Sequence, residues 1–360
     1  MAANTARIAV IGAGWWATYT HIPGIRDNPD AELAAVCDRS PEALERVAKA
    51  FAPIKTYPDY REMLAAEKLD GAIVATNHAT HYEITKACLE AGLHVLLEKP
   101  MVLHAAEAHE LVRLAEQKRR QLIIGYPWPF TDLVRQARAV IQSGELGAIQ
   151  LINCLYASMV IEFYRGNDQA YQSLFNYPVT GPGAVYSDPK LSGGGQGHLQ
   201  ITHAAGSLFF VTGLQAEQVS ALMANWDVKV DLVDAITVRF KGADGRAAIG
   251  TIASTGNISK GDGGRLDLGI YCENGYLHLD PVRGTLTVRP HNGPERRVGP
   301  VPDDERYPRF ATAGNLVDVI LGRAENGLPA AVAAKVVELL DAAYRSAAAG
   351  GQPVRVADLD

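Results

Sequence analysis

A short apolar run, residues 7–11, breaks into Gly12-Ala13-Gly14-Trp15-Trp16-Ala17 and then into helix-compatible sequence reaching about Arg26. Strand, glycine turn and helix in immediate succession constrain this chain more than any other feature. In the pattern G-x-G-x-x-A, Gly12 permits a tight turn, Gly14 leaves the backbone bare to an approaching diphosphate, and Ala17 lets helix and strand pack closely. The helix N-terminus offers unpaired N–H groups to the same phosphates. A second apolar run, residues 32–37, ends at Asp38, where a carboxylate reaches the hydroxyls of a ribose. Turn and acid together predict a dinucleotide. Asp38 repels a 2′-phosphate and so favours NAD; NADP is the alternative if Arg39 and Ser40 take that phosphate and the carboxylate turns away.

The same grammar continues. Ser40 and Pro41 start a helix over residues 41–51, an apolar run at 70–76 precedes a helix over 81–91 that Gly92 ends, and a fourth run follows at 94–98. Helices alternating with short, near-continuous apolar runs predict a parallel sheet covered on both faces. After Tyr126 the pattern changes. A helix at 134–143 is followed by strand-like segments at 149–157, 217–226, 236–240, 247–254, 265–271 and 286–289, with turn signals at 242–245 and 273–275. A dinucleotide-binding domain over 1–126 and a second domain over 127–360, built on a mostly antiparallel sheet, are therefore expected. Residues 330–349 read as a helix, and the Gly/Pro-rich stretch 181–197 as a loop beside a ligand.

With 360 residues, 48% of them hydrophobic, the chain is long enough for two cores. Its net charge of −6 argues against nucleic acid as a partner. No stretch is long enough to span a bilayer, so no membrane partner is expected, and the opening apolar run meets glycines before it can serve as a signal sequence. Cys37, Cys88, Cys154 and Cys272 are scattered, which predicts neither a disulfide framework nor a metal site and fits a cytoplasmic protein.

Glu98-Lys99-Pro100 after the fourth apolar run, the N-terminal fingerprint, and Gly193-Gly194-Gly195 ahead of His203 occur in this order. The set resembles the glucose–fructose oxidoreductase / inositol dehydrogenase (Gfo/Idh/MocA) family of NAD(P)-dependent enzymes, over nearly the whole chain. The resemblance implies a Rossmann-type domain followed by an α/β domain with a large open sheet. That sheet often serves as an oligomer interface, so a homodimer or homotetramer is expected. It also implies a sugar or polyol substrate whose reacting hydroxyl is bound by Lys99.

From chemistry alone, Lys99 stands at the C-terminal rim of a parallel sheet, where ligands bind, although a surface lysine in a turn is the plainer reading. Its ammonium suits a developing alkoxide. His203 suits the alcohol proton, since imidazole titrates near neutrality; a packing histidine is the alternative. The family carries Asp four residues before this histidine, where this chain has Leu199, so Gln200 is the expected orienting group. Asn77-His78 replace the family's Pro-Asn, and Tyr126-Pro127-Trp128 fill a segment that often holds an arginine. Cofactor contacts are expected from Gly12, Gly14, Trp15, Trp16, Ala17, Asp38, Arg39, Thr76, Asn77, His81, Glu98 and Lys99. Substrate contacts are expected from Lys99, Trp128, Tyr164, Arg165, His198 and His203. The aromatic stretch that includes Phe163, Tyr164, Asp168, Tyr171, Phe175 and Tyr177 reads equally as a sugar platform and as a small core. Three functions fit: a dehydrogenase of secondary alcohols, an enzyme using transient oxidation for glycoside cleavage or epimerisation, and a dinucleotide-binding sensor without catalysis.

Overall fold

The computed structural model describes residues 5–359 other than 176, 178 and 180. A first sheet contains β1 (Ala6–Ile11), β2 (Ala31–Cys37), β3 (Thr56–Tyr57), β4 (Gly71–Val74), β5 (His94–Leu97) and β6 (Leu122–Ile124), in the order β3-β2-β1-β4-β5-β6. All its pairs are parallel. Parallel neighbours need crossovers, and helices such as Pro41–Phe51 and His81–Glu90 supply them. Because helices cover both faces, β4 is buried throughout, which explains the unbroken apolar runs. The strand order reverses at β1, so the loops leaving β1 and β4 diverge and open a crevice. Gly12, Asp38, Thr76 and Lys99 each follow their strand by one or two residues and therefore stand on that rim.

The second sheet has nine strands: β7 (Ile149–Ala157), β8 (Gln215–Ala224), β9 (Val233–Lys241), β10 (Ala247–Thr255), β11 (Arg265–Cys272), β12 (Gly275–Asp280), β13 (Thr285–Pro290), β14 (Arg296–Val298) and β15 (Val354–Arg355). Only β7 and β10 pair in parallel. In β9 the alternation of burial is strict, with Ile236, Val238 and Phe240 inward. These join Leu208 and Phe209 of the helix Thr202–Thr212 and Val337 and Leu340 of the helix Ala330–Ala348 in one core. The other face is open and carries Leu151, Ile249 and Tyr271 side by side across β7, β10 and β11.

All strands up to residue 124 belong to the parallel sheet and all later ones to the nine-stranded sheet, but the helices do not divide the same way. Helix Ala311–Ile320 returns to the first sheet, where Ala313, Leu316 and Val317 pack with Ile8, Val10 and Ile73. Among the described residues, no helix is long and apolar enough to cross a membrane.

Candidate active site

The glycine turn is built by two different demands. Gly12 has φ +105°, and a Cβ there would stand 2.3 Å from the Ala75 carbonyl oxygen, so both conformation and space require glycine. At Gly14 a Cβ would meet nothing within 4 Å; the backbone faces open space at the start of the helix. Ala17 is fully buried beneath it. The Asp38 carboxylate accepts the Ala13 N–H at 2.7 Å and the Ser40 N–H at 2.8 Å, tying the exit of β2 to the turn. A bare glycine that leaves room for a diphosphate, a helix N-terminus that donates N–H groups and a carboxylate that accepts from ribose hydroxyls are the groups a dinucleotide needs, so the residues present fit that cofactor.

Glu98 and Lys99 follow β5. Buried Glu98 accepts hydrogen bonds from Trp16 Nε1 at 2.9 Å, His21 Nε2 at 2.8 Å and its neighbour's backbone, Lys99 N, at 3.1 Å. Burial alone would raise this carboxyl, but the hydrogen bond and charge of His21, with the Lys99 cation, hold it below its usual range. Lys99 precedes a cis peptide to Pro100. Its Nζ donates to the Leu199 carbonyl oxygen at 3.3 Å, a link from the rim of the first sheet to the segment between β7 and β8. Burial pushes the Lys99 ammonium down to about 8, against the pull of Glu98.

The segment leading to His203 is fixed by Asp231. Its carboxylate accepts the N–H groups of Gly195 and Gly197, each at 2.7 Å, and the Tyr344 hydroxyl at 2.9 Å. Side chains at the triple glycine would collide: a Cβ on Gly194 would lie 2.2 Å from the Tyr344 hydroxyl and one on Gly195 2.1 Å from the Asp231 carbonyl. The turn Gly197–Ile201 is a π-helix, which runs into Thr202–Thr212. His203 packs edge-on against Trp128 and Tyr126 at 5.5 and 5.8 Å. Its Nδ1 is buried without a hydrogen-bond partner among the described residues, while the ring borders the cavity. Burial and the nearby Lys99 charge push His203 well below its ordinary value, so the ring is neutral. The near-neutral titration expected from sequence does not apply in this state.

One cavity of about 670 Å³ joins these parts. Its wall includes Gly12, Gly14, Trp15, Trp16, Asp38, Arg39, Thr76 and Asn77 from the strand ends of the first sheet, Glu98 and Lys99 after β5, and Trp128, Gln200 and His203. The loop expected beside a ligand contributes Gly181, Pro182, Val185 and Tyr186. Trp15 Nε1 donates to the Tyr186 hydroxyl at 3.1 Å, so this loop rests on the glycine turn.

Six expected roles do not match this geometry. Ala17 is fully buried under the glycine turn and does not line the cavity, so it packs helix on strand instead of touching the cofactor. Gln200 lines the cavity but makes no hydrogen bond to His203; the expectation assumed α-helical spacing, and the π-turn winds differently. His81 is fully buried behind the wall, its Nδ1 2.8 Å from the Pro100 carbonyl oxygen and its Nε2 3.2 Å from that of Thr76, and so braces two rim loops instead of meeting the cofactor. His198 stacks on Tyr344 at 4.5 Å, away from the cavity. Tyr164 is buried and donates to Gln196 Oε1 at 2.8 Å. Arg165 is exposed and paired with Glu162 and Asp227. Tyr164, Phe163 and Tyr171 form a satellite core, although Phe163 also reaches the cavity wall. The side chains of Asp168 and Phe175 lie outside the described part.

Several wall residues escaped the sequence reading. Tyr156 comes from a strand, Tyr186 from a short turn and Tyr307 from the segment after β14, positions that carry no motif. His78 did carry a signal, because it stands four residues after the end of β4, next to Asn77 on the rim.

Comparison with known proteins agrees with this architecture. Residues 6–126 match the model of an oxidoreductase family with an NAD-binding Rossmann fold, and residues 134–278 that of the GFO/IDH/MocA C-terminal domain. The chain is 32% identical to D-glucoside 3-dehydrogenase of Escherichia coli (strain K12) over 41% of its own length and 42% of that protein's. It is 31% identical to inositol 2-dehydrogenase 1 of Mycolicibacterium vanbaalenii, over 43% of this chain and 45% of the relative. The chain thus spans less than half the length of these curated relatives. The crystal structure of an oxidoreductase domain protein from Kribbella flavida superposes with a TM-score of 0.79 at 21% identity, over 98% of this chain and 99% of the other.

Proposed function

Since the chain belongs to the GFO/IDH/MocA oxidoreductase family, we propose that it is an NAD-dependent dehydrogenase acting on a secondary alcohol of a sugar, sugar derivative or polyol. The observation that carries this reading is the single cavity onto which Gly14, Asp38, Lys99 and His203 all open. A dinucleotide held there by Gly14, the helix N-terminus and Asp38 supplies a nicotinamide ring able to accept hydride. Lys99 has N–H donors left beyond its bond to Leu199, and these bind the substrate hydroxyl and stabilise negative charge growing on its oxygen. His203, neutral and bordering the same space, accepts the hydroxyl proton. Trp128, Tyr156 and Tyr307 offer rings to the apolar C–H faces of a sugar. Asp38 favours NAD over NADP, because a 2′-phosphate would meet its carboxylate. The exposed apolar patch of the second sheet supports a homodimer or homotetramer.

The test is direct. Protein mixed with NAD and a panel of sugars and polyols should generate the absorbance of reduced nicotinamide. Cofactor binding with no turnover on any of them would refute the reading in favour of a sensor.

A further inference from the structure

His78 stands where the family resemblance calls for asparagine, and nothing in the proposed chemistry uses it. It is buried, at 6% exposure, yet borders the cavity beside Asn77 and Lys99. Its Nδ1 lies 2.8 Å from the carbonyl oxygen of Ser192 in the second domain. A carbonyl only accepts, so Nδ1 carries the proton and the tautomer is fixed. Burial, with the nearby charges of His81 and Lys99, pushes this imidazole well below its ordinary value and keeps it neutral. Nε2 is therefore a lone pair. It makes no hydrogen bond among the described residues, is not one of the sealed, unpartnered buried atoms, and belongs to a residue that lines the cavity. An acceptor held rigidly against a cavity whose neighbouring cation, Lys99, is a donor discriminates between ligand groups: it welcomes O–H or N–H and penalises a carbonyl or a carboxylate.

We propose that His78 is a specificity-determining residue, whose Nε2 accepts a hydrogen bond from a neutral donor on the bound ligands, either a substrate hydroxyl next to the reacting one or the carboxamide N–H of the nicotinamide. The proposal rests on the dehydrogenase reading for its substrate arm and on dinucleotide binding alone for its cofactor arm. It also gives the Ser192 carbonyl a role, because the second domain thereby sets the tautomer of a first-domain residue.

The test compares His78→Gln, which keeps an acceptor, with His78→Met, which fills similar space without one. NAD affinity is read from quenching of tryptophan fluorescence, given that Trp15 and Trp16 line the site. The KM of the best polyol is then measured with NAD saturating. His78→Met should weaken one of the two constants about tenfold, the loss of one hydrogen bond, and His78→Gln should stay within about threefold of wild type. A rise confined to KM identifies a substrate hydroxyl; a rise confined to the NAD constant identifies the carboxamide. Equal constants for the Gln and Met variants overturn the proposal, whether both match wild type or both are impaired. If the wild type oxidises no sugar or polyol, the dehydrogenase reading fails separately, and the fluorescence titration alone decides: an NAD constant equal in both variants then overturns the role of His78.

Discussion

Lys99 keeps a charge in surroundings that disfavour it, with the Leu199 carbonyl as its hydrogen-bond partner and burial bringing it down to about 8. Such a group is poised to donate to an oxygen that becomes negative. Lys99→Ala should lower kcat by roughly 10²–10³-fold and leave the NAD dissociation constant within about threefold, because in the proposed mode the phosphates would be held elsewhere, at the glycine turn; stopped-flow and fluorescence titration measure the two. The pH dependence follows from the same residue. Below about 8 Lys99 is an ammonium and can donate, and His203 is neutral through the physiological range. kcat/KM for alcohol oxidation should stay level around neutrality and fall as pH rises through about 8; a profile that instead rises through 8 contradicts the assignment. Asp38→Ser should weaken NAD about tenfold, the scale of a charge-assisted hydrogen bond, and narrow the preference over NADP. An unchanged NAD/NADP ratio would mean that the carboxylate, already accepting Ala13 and Ser40 N–H groups, does not read the ribose. Residues such as Gly12, Asp38 and Lys99 were legible because each sits at a strand end, where sequence position alone fixes location. His198, Tyr164 and Arg165 were not, since the direction of a side chain on the π-turn Gly197–Ile201, or on the single helical turn Ile161–Tyr164 and its cap Arg165, depends on packing that no spacing rule encodes.

Among the elements, the two glycines of the first turn separate folding from binding. Gly12→Ala forces a Cβ against the Ala75 carbonyl at a positive φ and should destabilise by roughly 2–5 kcal/mol, visible as a lowered Tm. Gly14→Ala adds a methyl to open space, so Tm should hold while NAD affinity falls at least tenfold, the effect expected if the diphosphate must come within van der Waals reach of that backbone. Thermal unfolding with and without NAD distinguishes the two, and equal melting temperatures for both variants would contradict this division. The strands that carry long apolar or alternating runs were legible. β3, β6, β14 and β15 were not, because two or three residues show no period. β12 escaped although its turn, Glu273-Asn274-Gly275, was read; it is the returning arm of that hairpin.

At the scale of the whole molecule, sequence locates the change from parallel to antiparallel architecture but not the return of Ala311–Ile320 to the first sheet, a tertiary contact across some 300 positions that local pattern does not report. The proposed homo-oligomer would pair through the open face of the second sheet, which exposes Leu151, Ile249 and Tyr271. Ile249→Glu places a charge beside Leu151 in the next strand, and light scattering after size exclusion should show a smaller species than the wild type. The account as a whole depends on where the cofactor lies relative to Lys99 and His203. A crystal of the protein grown with NAD and a polyol inhibitor measures that directly: the diphosphate should lie over Gly14, with the nicotinamide ring between Trp16 and the Lys99–His203 end of the cavity. Density for the dinucleotide anywhere else, or a ring beyond reach of Lys99, would contradict it.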